Sequence, residues 1–108
     1  MIQEIRAKEE FEFLITNNPF VFIHFWAEWN YHDVTARDIL SELDLELNDK
    51  IAFASLDTDQ KHLWDLIKNV GVKGIPAFAY FKNGEKITVE IGLKTKEGFL
   101  QRIEEIFN

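Results

Sequence analysis

A run of seven residues in the first quarter of the chain constrains its fold more than any other feature. Phe20 to Trp26 has the sequence FVFIHFW, in which His24 is the only polar side chain. A strand with one face in water alternates apolar and polar residues, whereas a strand covered on both faces is almost continuously apolar. The run therefore predicts a central strand with helices packed on both of its faces.

The segments around this strand alternate between extended and helical patterns. Asn83-Gly84 favours a tight hairpin turn, because both residues tolerate positive φ, and Gly71 stands where a helix C-terminus favours glycine. Asp59 and Thr95 each precede a helical pattern and are predicted N-caps. The predicted elements are strands at 2–5, 20–26, 51–56, 77–81 and 87–91, and helices around 11–15, at 30–47, before Gly71 and after Thr95. Their order, βαβαβαββα, predicts an α/β sandwich around a central mixed sheet.

Composition excludes several classes of function. The 108 residues suffice for a single domain spanning 1–108. Twelve basic against nineteen acidic residues leave a formal charge of −7, and such a surface repels phosphates, so we predict neither a nucleic-acid nor a membrane partner. The absence of cysteine excludes disulfides, thiolate catalysis and Cys-ligated metal sites. No signal-peptide pattern and no bilayer-spanning apolar run is present, so we expect a soluble, cytoplasmic protein.

Three polar or aromatic features are interpreted as structural. The acidic residues Glu42, Asp44, Glu46 and Asp49 are predicted to form a solvated helix face. Trp64 is predicted to pack within the fold rather than to line a ligand cage. His24 lies in an apolar strand, where burial favours a neutral imidazole with a pKa below the usual value near ~6.5.

Four short stretches together resemble thioredoxin. They are Phe25-Trp-Ala-Glu-Trp29, Val72-Lys-Gly-Ile-Pro76, Phe81-Lys-Asn-Gly-Glu85 and Gly92. The resemblance covers essentially the whole chain and implies a thioredoxin-like three-layer sandwich, with a central mixed β-sheet flanked by helices. It also implies that the Ile75–Pro76 peptide bond is cis.

The departures from this resemblance concern the chemistry of the family. Where the family has Cys-Gly-Pro-Cys, this chain has Asn30-Tyr31-His32-Asp33. The buried acid of the family corresponds to His24, and the lysine that accompanies that acid corresponds to Ser55. Disulfide exchange requires thiolate attack followed by a resolving thiol, which these side chains do not supply. We therefore predict a redox-inactive protein that is not an enzyme.

The degenerate active-site loop, Asn30 to Asp33, has two interpretations. Asn30 followed three residues later by Asp33 resembles a capping box at a helix start. Alternatively, Tyr31, His32 and Asp33 form a contact or reactive cluster. A metal site formed by His24, His32 and Asp33 with Glu28 is disfavoured, because the spacing is poor and His24 is expected to be buried. We predict neither a metal nor a cofactor.

The peptide-binding edge implied by the resemblance is retained. It corresponds to Trp29, Ile75, Pro76 and Gly92, and Tyr31 adds an aromatic side chain to the rim. An extended polypeptide would add there as a strand, pairing with Ile75 backbone groups that face outward. The predicted function is therefore that of a polypeptide-binding or adaptor module with a partner of unknown identity.

Two alternatives remain open at this stage. One is an enzyme that uses non-thiol acid–base or metal chemistry at His32 and Asp33. The other is a structural subunit that self-associates through Trp29 and Tyr31, so the expected state is a monomer or a weak homodimer.

Overall fold

The computed structural model describes residues 2–108. The strands are β1 (Gln3–Glu4), β2 (Phe20–Trp26), β3 (Ala52–Asp57), β4 (Ala77–Lys82) and β5 (Glu85–Ile91). The helices are α1 (Lys8–Asn17), α2 (Tyr31–Leu47), α3 (Trp64–Val70) and α4 (Lys96–Phe107), and a short 3₁₀ turn (Lys61–Leu63) precedes α3. The predicted order of elements is confirmed, and the bounds of β2 are those of the apolar run.

The five strands form one mixed sheet in the order β1-β3-β2-β4-β5. The central strand β2 pairs in parallel with β3 and antiparallel with β4. Its odd-numbered residues Val21, Ile23 and Phe25 pack into one apolar cluster with residues of α1 and α3. Phe22 packs into a second cluster with residues of α2 and α4. The sheet is therefore the middle layer of the predicted α/β sandwich.

The ends of the elements follow local rules at several positions. Gly71 ends α3 at φ +96°, in the left-handed region that favours glycine. Asn83 and Gly84 both have positive φ in the β4–β5 turn, and the Thr95 side chain accepts the Gly98 N–H at the start of α4. Within residues 2–108, no helix has both the length and the apolarity needed to cross a membrane.

Three structural interpretations of the sequence are wrong. Asp59 does not cap a helix, because Gln60 is the N-cap of the 3₁₀ turn and the Asp59 N–H itself donates to Asp57 Oδ1. Asp44 is buried rather than solvated; it lies four residues after Leu40, on the face of α2 that packs against the sheet. Trp64 is 56% exposed, one position away from the buried Leu63.

Candidate functional site

The degenerate active-site loop joins the end of β2 to the start of α2. Asn30 is the N-cap of α2, and its Oδ1 accepts the His32 N–H at 3.0 Å. Its own N–H donates to the Ala27 carbonyl. The side chains of Tyr31 and His32 extend into solvent. The N-cap that the sequence predicts at Asn30 is therefore present.

Asp33 does not complete the predicted capping box. Instead of reaching back to the Asn30 N–H, its carboxylate is buried, with only 1% of the residue exposed. Its Oδ1 lies 2.9 Å from His24 Nε2, and its Oδ2 accepts the Ala27 N–H at 3.1 Å. The acid thus joins the end of β2 to α2 from inside the protein, and Asn30 alone serves as the cap.

The partner of Asp33 is His24, which is fully buried on the α2 side of β2. The imidazole stacks on the Phe78 ring at a centroid distance of 5.0 Å. A neutral imidazole has one donor and one acceptor nitrogen; Nε2 lies against the Asp33 carboxylate, and no described group hydrogen-bonds to Nδ1. Burial lowers the pKa of His24, the hydrogen bond and charge of Asp33 oppose this shift, and the Arg37 cation adds to it.

The resemblance held a signal for this pair. His24 stands where the family has its buried acid, and Asp33 stands where it has the second thiol, two groups that work together. In this chain a histidine takes the place of that acid and an aspartate takes the place of that thiol, and the two side chains are in contact.

A cavity of about 210 Å³ lies beside His24. Its lining is Ile2, Glu4, His24, Arg37, Leu40, Ser41 and Ser55. Ser55 pairs with His24 across the β2–β3 ladder, at the position that the resemblance assigns to a lysine.

The residues considered as metal ligands do not converge. His24 and Asp33 meet inside the protein, whereas Glu28 and His32 lie on the surface. Across residues 2–108, no group of three or more histidine or acidic side chains is placed to hold a metal ion. The same geometry separates His32 from Asp33, because both carboxylate oxygens of Asp33 face His24 and Ala27.

The second part of the site is the predicted peptide-binding edge, whose residues Trp29, Tyr31, Ile75, Pro76 and Gly92 are here called the Trp29 groove. The Ile75–Pro76 peptide bond is cis. Asn30 Nδ2 donates to the Ile75 carbonyl at 3.4 Å, which brings the start of α2 beside this segment. The Gly92 N–H donates to the Pro76 carbonyl at 2.9 Å. The three segments that carry the predicted binding residues therefore lie together.

One detail of the predicted binding edge changes. The Ile75 carbonyl, expected to be free for a bound strand, already receives the Asn30 amide. In contrast, the Ile75 N–H has no hydrogen-bond partner within the described chain. Of the two Ile75 backbone groups, the N–H is therefore open among the described residues, whereas the carbonyl already takes part in a long hydrogen bond.

Trp29 is 70% exposed. Its indole Nε1–H donates to Asp59 Oδ1 at 3.3 Å. The sequence assigned Asp59 to a helix cap and gave no indication of this contact, which joins segments thirty residues apart. Only the fold brings them together.

Comparison with known proteins agrees with this architecture. The family model for thioredoxin matches residues 3–105. The chain belongs to the thioredoxin family. The thioredoxin of Bacillus subtilis (strain 168) is 30% identical over 88 residues, which cover 82% of this chain and 83% of that protein. The thioredoxin of Rickettsia typhi is 34% identical over 83 residues, which cover 77% of each chain.

Solved thioredoxin structures have the same fold. A thioredoxin structure from Malassezia sympodialis matches with a TM-score of 0.86 at 25% identity, covering 100% of this chain and 92% of that one. A mutant thioredoxin from Halobacterium salinarum NRC-1 matches with a TM-score of 0.88 at 22% identity, covering 98% and 90%. Within this thioredoxin fold, Asn30 and Asp33 stand in place of two thiols, and the chain contains no cysteine.

Proposed function

We propose that this thioredoxin-family chain has no thiol–disulfide activity and binds an extended polypeptide in the Trp29 groove. The observation that carries the proposal is the exposure of two aromatic side chains, Trp29 at 70% and Tyr31 at 81%, near an Ile75 backbone N–H that has no partner among the described residues. Tryptophan and tyrosine are enriched at protein interfaces.

Two further exposed apolar side chains support the proposal. Val34 follows Tyr31 by three residues on α2, so the two side chains are neighbours on the helix surface. Ile91 is exposed at the end of β5, and its side chain lies 3.4 Å from the place a Cβ would take on Gly74. An extended segment bound there would cover apolar surface with alternate side chains, while its backbone pairs with Ile75.

The absence of thiol chemistry follows from the atoms present. Asn30 is occupied as a helix cap, and Asp33 is buried in contact with His24. Neither side chain can form a mixed disulfide, and no residue of the chain carries a thiol. Binding, rather than electron transfer, is the function that this surface supports.

Panning a displayed library of random short peptides on the protein tests the proposal. Peptides that are enriched should bind Trp29→Ala about thirtyfold more weakly, because truncating a central tryptophan of an interface commonly costs about 2 kcal/mol or more. The control is Phe13→Ala, since Phe13 on α1 is 69% exposed and lies outside the groove; its affinity should be unchanged.

Two results would contradict the proposal. One is a library that yields no peptide whose binding depends on Trp29. The other is a light-scattering mass that shows a stable dimer converted to a monomer by Trp29→Ala, since the surface would then be occupied by a second copy.

A further inference from the structure

Two exposed tryptophans flank one acidic turn next to the Trp29 groove. Trp29 Nε1–H donates to Asp59 Oδ1 at 3.3 Å, and Trp64 Nε1–H donates to the Thr58 carbonyl at 3.2 Å. Both indoles are therefore held at their N–H edges by consecutive residues of the same turn. The two side chains remain 70% and 56% exposed, so core packing does not account for them.

The turn between them is held by three hydrogen bonds and is negatively charged. The Asp59 N–H donates to Asp57 Oδ1 at 2.9 Å, and the Thr58 N–H and hydroxyl both donate to the Trp26 carbonyl. Asp59 is exposed, and no residue from 2 to 108 hydrogen-bonds to its Oδ2. Neither aspartate forms an ion pair with any other residue in the described part of the chain.

The charge around the turn is not balanced locally. The segment from Asp57 to Asp65 contains three aspartates and one lysine, Lys61, and Lys61 forms no ion pair with a described residue. The whole chain carries a formal charge of −7. A second copy of this chain would bring the same unpaired acids against this surface, so like-charge repulsion disfavours it as the occupant.

We propose that Trp29, Asp59 and Trp64 form a receptor for the cationic side chain of a lysine or arginine in the polypeptide bound by the Trp29 groove. The inference rests on the proposed function and specifies the chemistry of the partner. Tryptophan is the best aromatic acceptor for a cation–π interaction, and the free oxygen of Asp59 supplies the counter-charge. Because the turn holds both N–H edges, the receptor is ordered before the ligand arrives, which reduces the entropy lost on binding.

The test uses groove-dependent peptides from the panned library, each synthesised with its basic residue and with an uncharged analogue, norleucine for lysine or citrulline for arginine. The charged peptide should bind the wild-type protein about tenfold more tightly than the analogue, from the combined cation–π and ion-pair contributions. Asp59→Asn keeps an oxygen acceptor for the Trp29 indole and removes the charge, and this advantage should fall below about twofold there.

Two further variants control the experiment. Trp64→Leu should reduce the advantage of the charged peptide by at most about twofold, because it removes one exposed ring at small cost to the fold and leaves the Asp59 charge in place. Asp49→Asn removes one equal charge from the turn after α2, at the far end of a helix about 25 Å long; the advantage should remain unchanged.

The outcomes separate the inference from the proposed function. Groove-dependent peptides that carry no basic residue, or that keep their charge preference in Asp59→Asn, would overturn the cation receptor and leave the groove intact. A library with no groove-dependent peptide would overturn both. Loss of the preference in Asp59→Asn, with affinity still dependent on Trp29, supports both.

Discussion

Replacing Asp33 by alanine should destabilise the protein by about 3–4 kcal/mol. The carboxylate is buried and forms two contacts, with His24 Nε2 at 2.9 Å and with the Ala27 N–H at 3.1 Å. Hydrogen bonds to charged groups contribute about 1.5–3 kcal/mol each. Breaking a buried charge-assisted pair by removing one partner leaves the other partner unsatisfied, which gives losses of about 3–5 kcal/mol.

Urea unfolding followed by tryptophan fluorescence at pH 7 measures this loss. A double-mutant cycle with His24→Phe isolates the pair, because phenylalanine keeps a ring to stack on Phe78 and removes both ring nitrogens. The double variant should be at least about 1 kcal/mol more stable than the sum of the single losses predicts.

The pH dependence provides an independent check on His24. Burial lowers its pKa in the folded protein, with Asp33 opposing and Arg37 adding to the shift. The unfolded chain then binds the proton more readily. The stability that the neutral imidazole contributes is therefore fully present above the pKa of the unfolded chain, about 6.5. It declines as the pH falls from there toward the pKa of the folded protein, by at most about 1.4 kcal/mol per pH unit. The His24→Phe variant should lack this part of the slope.

Additive losses in the cycle, to within about 0.5 kcal/mol, would refute the claim that His24 and Asp33 act as a pair. Equal slopes for wild type and His24→Phe between pH 7 and 5 would refute the assignment of His24 as the titrating group.

Two further predictions concern the loop that carries the site. In an insulin-reduction assay with a dithiol donor, the protein should match the uncatalysed rate, and turnover by the unmodified chain would contradict the chemical argument. The double variant Asn30→Cys with Asp33→Cys should recover weak turnover at most, because His24 does not replace the family's buried acid. In urea unfolding, Asn30→Ala should lower the free energy of unfolding by about 1 kcal/mol through loss of the α2 cap. Asn30→Asp keeps a capping oxygen and should retain most of that stability. Equal stability of all three proteins would show that the cap is unimportant.

Much of the fold could be predicted because its signals are local. The apolar run at Phe20–Trp26 defined β2, since only a strand buried on both faces accepts such a sequence. Thr95 and the Asn83-Gly84 pair are local conformational signals, and the structure uses each as its chemistry predicts.

The interior of the site was less accessible to sequence reasoning. Asp33 has the spacing of a capping acid. Its carboxylate contacts His24 instead of the Asn30 N–H because of the way β2 packs beneath α2. Asp59 likewise has the local appearance of a cap, but its carboxylate meets Trp29 only after the sheet assembles. Side-chain pairs of this kind depend on tertiary proximity, which local propensity does not encode.

Peptide titration followed by proton–nitrogen correlation NMR tests the central claim most directly. With a peptide selected by panning, the indole N–H of Trp29 and the backbone amides of Ile75 and Gly92 should shift or broaden together. The indole N–H of the buried Trp26 and the amide of Phe13, on the outer face of α1, should stay in place. Perturbations centred away from Trp29, Ile75 and Gly92 would contradict the assignment of the Trp29 groove as the binding site.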